Sequence, residues 1–481
     1  MTGVHTIGRW LADRARITPS RVALDYLDRE LTYAELDRRA NALTMSFAER
    51  RLRRGDRVAT LTGNSPEHVI AFFACARAGL MLVPLNWRLT APELRFQLDD
   101  AEPSLFLVED EHAALAAETG VAFEPLAPSG AEDDAPPFEV ADDDGLLLIY
   151  TSGTTGRPKG AVLTHANCFW TNVSLDLATP IDAKDVVLQL LPQFHCGGWN
   201  VQPLLAWWKG AKVVLERGFD AARLLDLISE KRVTTLMGVP QIYLFLAQEP
   251  RFADADLSSI RLAVVGGAPM PTALLQTWRE RGVEIVQGYG LTEAAPNVLC
   301  LPPEDAMRKA GAAGKPYPFV EARVSDEGEV LVRGPNVFPG YWRNPDATAT
   351  VLRDGWLHTG DVAEVDDEGC FWLRGRLKDM YISGGENVYP AEVEEVLRAH
   401  PAVADAAVVG VADERWGEAG VAFVVTRAVV EEQELLAHCG TRLARFKVPK
   451  RVRFLEALPL SAMNKVLKDE LRALDGEEVP A

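Results

Sequence analysis

The chain is sparing with cysteine and keeps its six thiols apart. Cys75, Cys168, Cys196, Cys300, Cys370 and Cys439 form no CxxC pair and meet no histidine cluster at metal-ligand spacing, so neither a zinc site nor a disulfide framework is suggested. Buried thiols in a reducing compartment are the expectation. Long apolar runs are missing as well: no uncharged apolar run reaches the ~18 residues that a membrane-spanning helix needs. The opening residues, MTGVHTIGRWLADRAR, lack the apolar core of a signal peptide. A cytoplasmic protein without integral membrane association is expected. Positive charge is in deficit, 50 Lys and Arg against 69 Asp and Glu, for a net charge of -19. That balance opposes general attraction to nucleic acid or anionic lipid, so any anionic ligand must be held by locally placed groups. There is no internal repeat, and nothing marks an oligomeric state.

What is present describes an ordinary globular chain: 481 residues, 48% hydrophobic and 25% charged, long enough for two or three structural units with real cores. From Leu31 to about Pro84 amphipathic helices alternate with short apolar strands, as in LTYAELDRRANALTMSFAER, DRVATL, PEHVIAFFACARAG and LMLVPL. Residues 124–144 are acidic and proline-rich and read as a surface connection. The α/β rhythm then returns with AKVVLE, a helix near Ala221–Lys231, VTTLMGV, a helix after Pro240, RLAVVGG, a helix near Thr272–Arg281, and VEIVQGYG. Such short β-branched runs suit buried parallel strands. After about Gly375 the texture changes to a small α+β unit with helices PAEVEEVLRAH and VEEQELLAHCGTRLARF and strands VADAAVVGV, AGVAFVVTR and RVRFLEAL.

Glycine-rich turns are expected directly after three strands, at Thr151–Gly156, Gly266–Pro269 and Gly288–Glu293. In open α/β sheets ligands bind beyond the carboxyl ends of strands, so three such turns would line one crevice. The first lies in LLLIYTSGTTGRPKGAVLTH. Its hydroxyls (Thr151, Ser152, Thr154, Thr155), its glycines (Gly153, Gly156, Gly160) and Lys159 suit a loop that cradles polyphosphate oxygens. It does not follow the GxxxxGK[ST] pattern, because counting from Gly153 the required second glycine falls on Pro158. The plainer alternative is a flexible surface loop. Glu293, after a Gly-Tyr-Gly turn, suits magnesium, a hard cation that takes one or two carboxylates and keeps waters. Gly266–Pro269 leaves room for a flat purine, or is merely a tight strand-to-helix turn.

Together these segments make the chain resemble the AMP-forming acid–CoA ligases of the adenylate-forming superfamily, over essentially its whole length. The family's motifs stand in order: the loop above, GGAP at Gly266–Pro269, QGYGLTE at Gln287–Glu293, TGD at Thr359–Asp361, GRLKDMYISGGENVYP at Gly375–Pro390, and Pro459–Lys465. The resemblance implies a large multi-sheet α/β N-terminal domain (1–376) and a small α+β C-terminal domain (377–481) joined by a hinge at Lys378. It implies ATP, magnesium and coenzyme A as cofactor and co-substrates. By the same resemblance the phosphate loop (Thr151 to Thr155, with Lys159), Gly267, Ala268, Pro269, Gly288 and Tyr289 hold the nucleotide, and Thr292 approaches its α-phosphate. Glu293 carries magnesium, Asp361 takes the ribose hydroxyls, Arg376 adds a ribose or phosphate contact, and Gly384 and Gly385 line the path of pantetheine. Lys465 is the implied catalytic lysine, although Asn464 stands where the family has glycine. His195, in LPQFHCGGWN, is assigned to positioning the acid.

The expected acyl-site walls, His195 to Asn200, Val239, Gly266 to Ala268, Gly288 to Gly290 and Ala294 to Asn297, contain no lysine or arginine for a second carboxylate. A hydrophobic monoacid is therefore expected, a fatty acid first and an aryl acid of the coumarate or ferulate kind as the alternative. Trp199 would shorten the channel. Loading a carrier protein, luciferase-like oxidation of the adenylate and non-catalytic nucleotide sensing are the rival functions. The arginines Arg50, Arg51, Arg53, Arg54 and Arg57 read as favourable charge at a helix C-terminus, with capture of CoA phosphates or a membrane surface as the alternative.

Overall fold

A computed structural model describes residues 3–127, 138–151, 158–268, 270–383, 386–413, 416–461 and 465–476, the side chain of Asn387 aside. The chain divides into two compact units. One comprises Met1–Arg323, Leu331–His358 and Asp367–Phe371; the other comprises Val324–Val330, Thr359–Asp366 and Trp372–Ala481.

The larger unit holds two big sheets. In the first, parallel strands Leu262–Val265, Thr235–Gly238, Val186–Gln189, Lys212–Leu215 and Val22–Tyr26 lie side by side in regular register. Ile285–Gly290 joins them in parallel, and Asn297–Cys300 then pairs with it antiparallel. In the second sheet the order is Gly340–Tyr341, Lys159–Thr164, Gly145–Thr151, Met81–Leu85, Arg57–Leu61, Leu105–Val108 and Glu124–Pro125. The expected strands and intervening helices are all present, at Tyr33–Glu49, Pro66–Ala78, Ala221–Glu230, Pro240–Gln248 and Thr272–Glu280. Local chemistry sets their starts. The Thr32 hydroxyl accepts from the Glu35 N–H while the Glu35 carboxylate returns to the Thr32 N–H, and Ser65 caps the helix that begins at Pro66.

Packing joins helices to the sheet through aromatic rings that also carry polar ends. Tyr243 and Trp278 are fully buried and meet edge to face at 5.1 Å. The Tyr243 hydroxyl donates to the Val264 carbonyl at 2.8 Å, and the Trp278 indole N–H donates to the Tyr243 carbonyl at 3.0 Å. Each such side chain contributes on the order of 1.5–3 kcal/mol of burial while leaving no polar atom stranded.

The smaller unit is built on the hairpin Val403–Asp413 and Gly417–Thr426, with Arg451–Phe454 parallel to its second strand. Gly410 and Gly420 lie opposite each other, and the Tyr381 ring fills the slot: a Cβ on either glycine would come within 2.3 Å of that side chain. The helix expected over VEEQELLAHCGTRLARF is shorter, Glu432–Gly440, followed by a single 3-10 turn at Arg445–Lys447. Gly440 supplies no packing side chain and raises the cost of continuing. A closing helix, Lys468–Gly476, was not expected.

The arginine cluster is largely spent on the protein itself. Arg50 pairs with Glu124 at 2.7 Å beyond the end of helix Tyr33–Glu49, and Arg54 grips Asp144 with two bonds of 2.7 and 2.6 Å. Arg57 donates to the carbonyls of Ala101 and Glu102. These contacts commit Arg50, Arg54 and Arg57 to other parts of the fold rather than to an anion trap. All six cysteines are buried, and none of them forms a disulfide. Among the described residues no helix is long and apolar enough to cross a membrane.

Candidate active site

Strand Ile285–Gly290 runs through Gly288, Tyr289 and Gly290, which pair with Cys300, Leu299 and Asn297. The Gly-Tyr-Gly turn expected here is thus a strand, and the turn proper begins at Leu291. Gly290 is required at its entrance because a Cβ there would lie 1.8 Å from the Pro296 carbonyl oxygen. The Leu291 N–H instead donates to that oxygen at 3.0 Å, and Ala295 takes a left-handed φ of 61° to close the loop. Thr292 and Glu293 project from this clasp.

Three neighbours hold it. The Asn336 amide, fully buried, donates to the carbonyls of both Ala294 and Asn297 at 2.9 Å. The Phe338 N–H donates to the Glu293 carbonyl at 2.9 Å, and the Tyr341 hydroxyl donates to Glu293 Oε1 at 2.8 Å. From another side the Cys196 thiol donates to the Thr292 hydroxyl at 3.4 Å, with burial pushing that thiol up to about 11, so it stays protonated at neutral pH. His195 precedes it, its ring 4.6 Å from Phe194.

Lys159 opens the strand Lys159–Thr164 opposite Thr151, and its ammonium lies 5.3 Å from the centre of the Tyr341 ring. Gly266 backs onto strand Ile285–Gly290, since a Cβ on it would sit 3.2 Å from the Gly288 carbonyl oxygen. Gly267 takes φ +81°, with Ala268 exposed beside it. Gly266 thus lies beside Gly288, and Tyr341 touches both Glu293 and Lys159. Ser152, Gly153, Thr154, Thr155, Gly156, Pro269, Gly384, Gly385 and Asn464 lie outside the described residues.

Within the smaller unit, Asp361 is buried and Arg376 exposed, joined by a 2.7 Å contact from Nε to Oδ1. Arg376 also donates to the Thr359 carbonyl at 3.2 Å, and the Asp361 N–H donates to the Thr359 hydroxyl at 3.1 Å. Gly360 and Gly375 take φ of +70° and +139°, conformations that favour glycine and shape this corner. Lys378 is exposed in the 3-10 turn Leu377–Asp379. Lys465 is exposed as well, its N–H donating to the Ser461 hydroxyl at 3.2 Å.

Among the described residues no group of three or more His, Cys, Asp or Glu is placed to hold a metal ion. A single oriented carboxylate, Glu293, fits magnesium that arrives on a nucleotide and keeps most of its ligands from phosphate and water. One expectation needs correction. Trp199 has no exposed surface, stacks on Phe72 at 4.6 Å and donates its indole N–H to the Gln193 carbonyl at 2.7 Å, so it belongs to the core and does not cap a channel. Tyr341 and Asn336 are contributors that the sequence did not point to, and Cys196, expected only in an acyl-site wall, also reaches Thr292. Only the GY pair in VFPGYW offered a local signal, and it reads equally well as a strand end.

The family description "AMP-binding enzyme" matches residues 11–342, and "AMP-binding enzyme C-terminal domain" matches 392–465. The chain is 44% identical to a feruloyl-CoA synthase from Amycolatopsis sp, covering 97% of this chain and 98% of that one. It is 42% identical to an indoleacetate–CoA ligase from Aromatoleum aromaticum, covering 97% and 98%. With the long-chain-fatty-acid–CoA ligase FadD13 of Mycobacterium tuberculosis it shares 38%, covering 99% and 100%. Among solved structures it matches the O-succinylbenzoate CoA synthetase of Bacillus subtilis in complex with ATP and magnesium, with a TM-score of 0.90, 36% identity and coverage of 96% and 98%. The shared fold and the near-complete span of these matches lead to one conclusion: the chain belongs to the AMP-binding enzyme family, as an acid–CoA ligase.

Proposed function

We propose that this protein activates an aryl monocarboxylic acid of the coumarate or ferulate kind as its acyl-adenylate, using ATP and magnesium, and transfers the acyl group to CoA. One observation supports the aryl reading above all: relatives named for aromatic acids share 44% and 42% of residues with this chain, against 38% for one named for long-chain fatty acids. That order favours the aryl alternative over the fatty acid first expected. A hydrophobic monoacid also suits acyl walls that lack lysine and arginine. CoA as acceptor agrees with relatives named as CoA synthases and CoA ligases.

In this reading a substrate carboxylate oxygen bonds to the α-phosphorus as pyrophosphate leaves; the CoA thiolate then bonds to the acyl carbon as AMP leaves. Glu293 carries the magnesium, which neutralises phosphate charge when it is bound with the nucleotide. Thr292 receives the α-phosphate, the loop from Thr151 to Lys159 the outer phosphates, and Gly267, Ala268, Gly288 and Tyr289 the purine. Asp361 and Arg376 serve the ribose, His195 positions the acid, and Gly384 and Gly385 line the thiol's path. Lys465 stabilises the first transition state. A boundary at 376/377, with Lys378 as hinge, lets one chain meet the different demands of the two half-reactions.

The test is a panel of carboxylic acids assayed for CoA-dependent AMP release. Ferulate and 4-coumarate are expected to exceed medium- and long-chain fatty acids in kcat/KM by ~10-fold or more, about 1.4 kcal/mol of transition-state preference. A fatty acid at the head of the panel would reject the aryl assignment.

A further inference from the structure

We infer that Tyr341 is a positioning residue of the phosphate site, its hydroxyl fixing the Glu293 carboxylate for magnesium while its ring holds the Lys159 ammonium apart from that carboxylate. The inference deepens the reading of Glu293 as the magnesium carboxylate and rests on it. Tyr341 touches both charged groups at once: its hydroxyl donates to Glu293 Oε1 at 2.8 Å, and its ring centre lies 5.3 Å from Lys159 Nζ. No ion pair joins Lys159 to Glu293 in the described residues.

The backbone around Tyr341 is fixed. Gly340 and Tyr341 pair with Val162 and Ala161 of the strand that Lys159 opens, and the Trp342 N–H donates to the Gly160 carbonyl at 2.7 Å. The Tyr341 N–H donates to the Thr348 hydroxyl at 2.9 Å. On the ring's flank Phe338 packs edge to face at 5.0 Å, two residues after Asn336 grips the Glu293 turn. One strap therefore carries the backbone clamps of the turn and the side chain that reaches its carboxylate.

The chemistry explains why a tyrosine is suited here. A carboxylate offers about four acceptor sites, so a single phenol hydrogen fixes its rotamer and leaves the rest for a cation and its waters. An ammonium within ~6 Å of an aromatic face is attracted to the ring without losing its charge. Were lysine and glutamate free to meet, each would neutralise the other, and the site would lose its cation for phosphate together with its anion for magnesium. The ring between them keeps both charges available.

The experiment measures ATP binding by calorimetry, with magnesium and with chelator, for the full-length wild type, Tyr341→Phe, Tyr341→Leu and Glu293→Gln, together with each melting temperature. In the wild type magnesium is expected to strengthen ATP binding. Tyr341→Phe keeps the ring but removes the hydroxyl, so that gain is expected to fall by ~5- to 10-fold while magnesium-free affinity and melting stay at wild-type values. Tyr341→Leu removes the ring as well, and magnesium-free ATP binding is expected to weaken by a further ~3-fold as Lys159 collapses onto Glu293. If Glu293→Gln keeps the magnesium gain, the underlying reading of Glu293 fails. If Glu293→Gln loses the gain while Tyr341→Phe retains it, the inference about Tyr341 is overturned. Equal losses with and without magnesium, or a Phe variant that does not fold, assign Tyr341 to the core and overturn it too.

Discussion

Replacing Asn336 by alanine tests how the turn bearing Thr292 and Glu293 is held. The side chain is completely buried, and its amide is the donor to two carbonyls, those of Ala294 and Asn297, at 2.9 Å each. Truncation strands both oxygens, and a buried acceptor left without a donor costs about 1–3 kcal/mol. There is an offsetting gain, because Asn336 Oδ1 is itself buried without a hydrogen-bond partner and disappears with the mutation. The balance is a net loss of about 2–3 kcal/mol, on the side of the clasp from which the Thr292–Glu293 turn departs. Two units in one chain make a single unfolding free energy ill-defined, so the informative readouts are local. Amide exchange should accelerate at Leu291, Ala294 and Ala295, whose N–H groups donate within the clasp. Magnesium-dependent ATP affinity should weaken by ~10-fold, with a drop of a few degrees in melting temperature. Asn336→Leu, which keeps volume without donors, should behave like alanine. Unchanged exchange at those three amides, with wild-type ATP affinity, would refute the idea that Asn336 governs the turn.

Lys465→Ala should slow acyl-adenylate formation by ~100-fold or more while sparing thioester formation from supplied acyl-adenylate, and equal loss of both half-reactions would contradict a role confined to the first. Acid should destabilise the large unit through His165, whose Nδ1 accepts from the Ile7 N–H and whose Nε2 is buried without a partner. Burial holds this imidazole down at about 4, against an ordinary 6.5. The folded state therefore binds the proton less readily than the unfolded chain; stability is complete above pH 6.5 and drains as pH falls toward 4, by on the order of 3 kcal/mol. His165→Gln should flatten that part of the melting-temperature profile, and an unchanged slope would exclude the histidine as its source. Added salt, up to physiological ionic strength, should raise or leave unchanged kcat/KM for CoA, because the repulsion from a net charge of -19 acts at longer range and is screened first. A steep fall with salt would point instead to a basic docking patch.

The α/β scaffold was legible because buried parallel strands advertise themselves. KVVL, TLMG and LAVV are short and apolar, and a helix separates each from the next, Ala221–Glu230 and Pro240–Gln248. Glycines at strand ends pointed to a candidate crevice for the same reason, since backbone close approach leaves a residue-level mark. Gly266 and Gly290 bear it out, each facing a carbonyl that a side chain would strike. What could not be read is where an extended glycine run stops being strand. Gly288 to Gly290 look like a turn by composition, yet cross-strand pairing with Asn297–Cys300, far from local propensity, makes them a ladder. Trp199 was misplaced for a related reason: its neighbour is Phe72, more than a hundred residues away, and a stack of that separation has no local signature. Tyr341 was missed because its significance lies in two contacts, to Lys159 and Glu293, that exist only once strand Gly340–Tyr341 is laid beside Lys159–Thr164.

The ion-pair pattern explains how so acidic a chain handles anionic substrates. Its guanidinium groups are heavily committed to carboxylates of the fold: Arg217 forks onto Glu109 at 2.8 and 3.0 Å, Arg223 onto Glu216 at 2.9 and 3.0 Å, and Arg261 onto Asp185. Such bidentate pairs fix geometry, but they withdraw positive charge from any general field. Attraction of nucleotide and CoA phosphates then falls to a few lysines, to backbone N–H groups at glycine-rich strand ends, and to a metal ion brought by the nucleotide. Under those conditions binding depends less on how many cations the chain has than on whether each stands in its working place. A phenol that fixes the Glu293 carboxylate and keeps Lys159 from it affects a larger share of the available charge than it would in a basic protein, and the same mutation on a cationic scaffold would be masked by its neighbours.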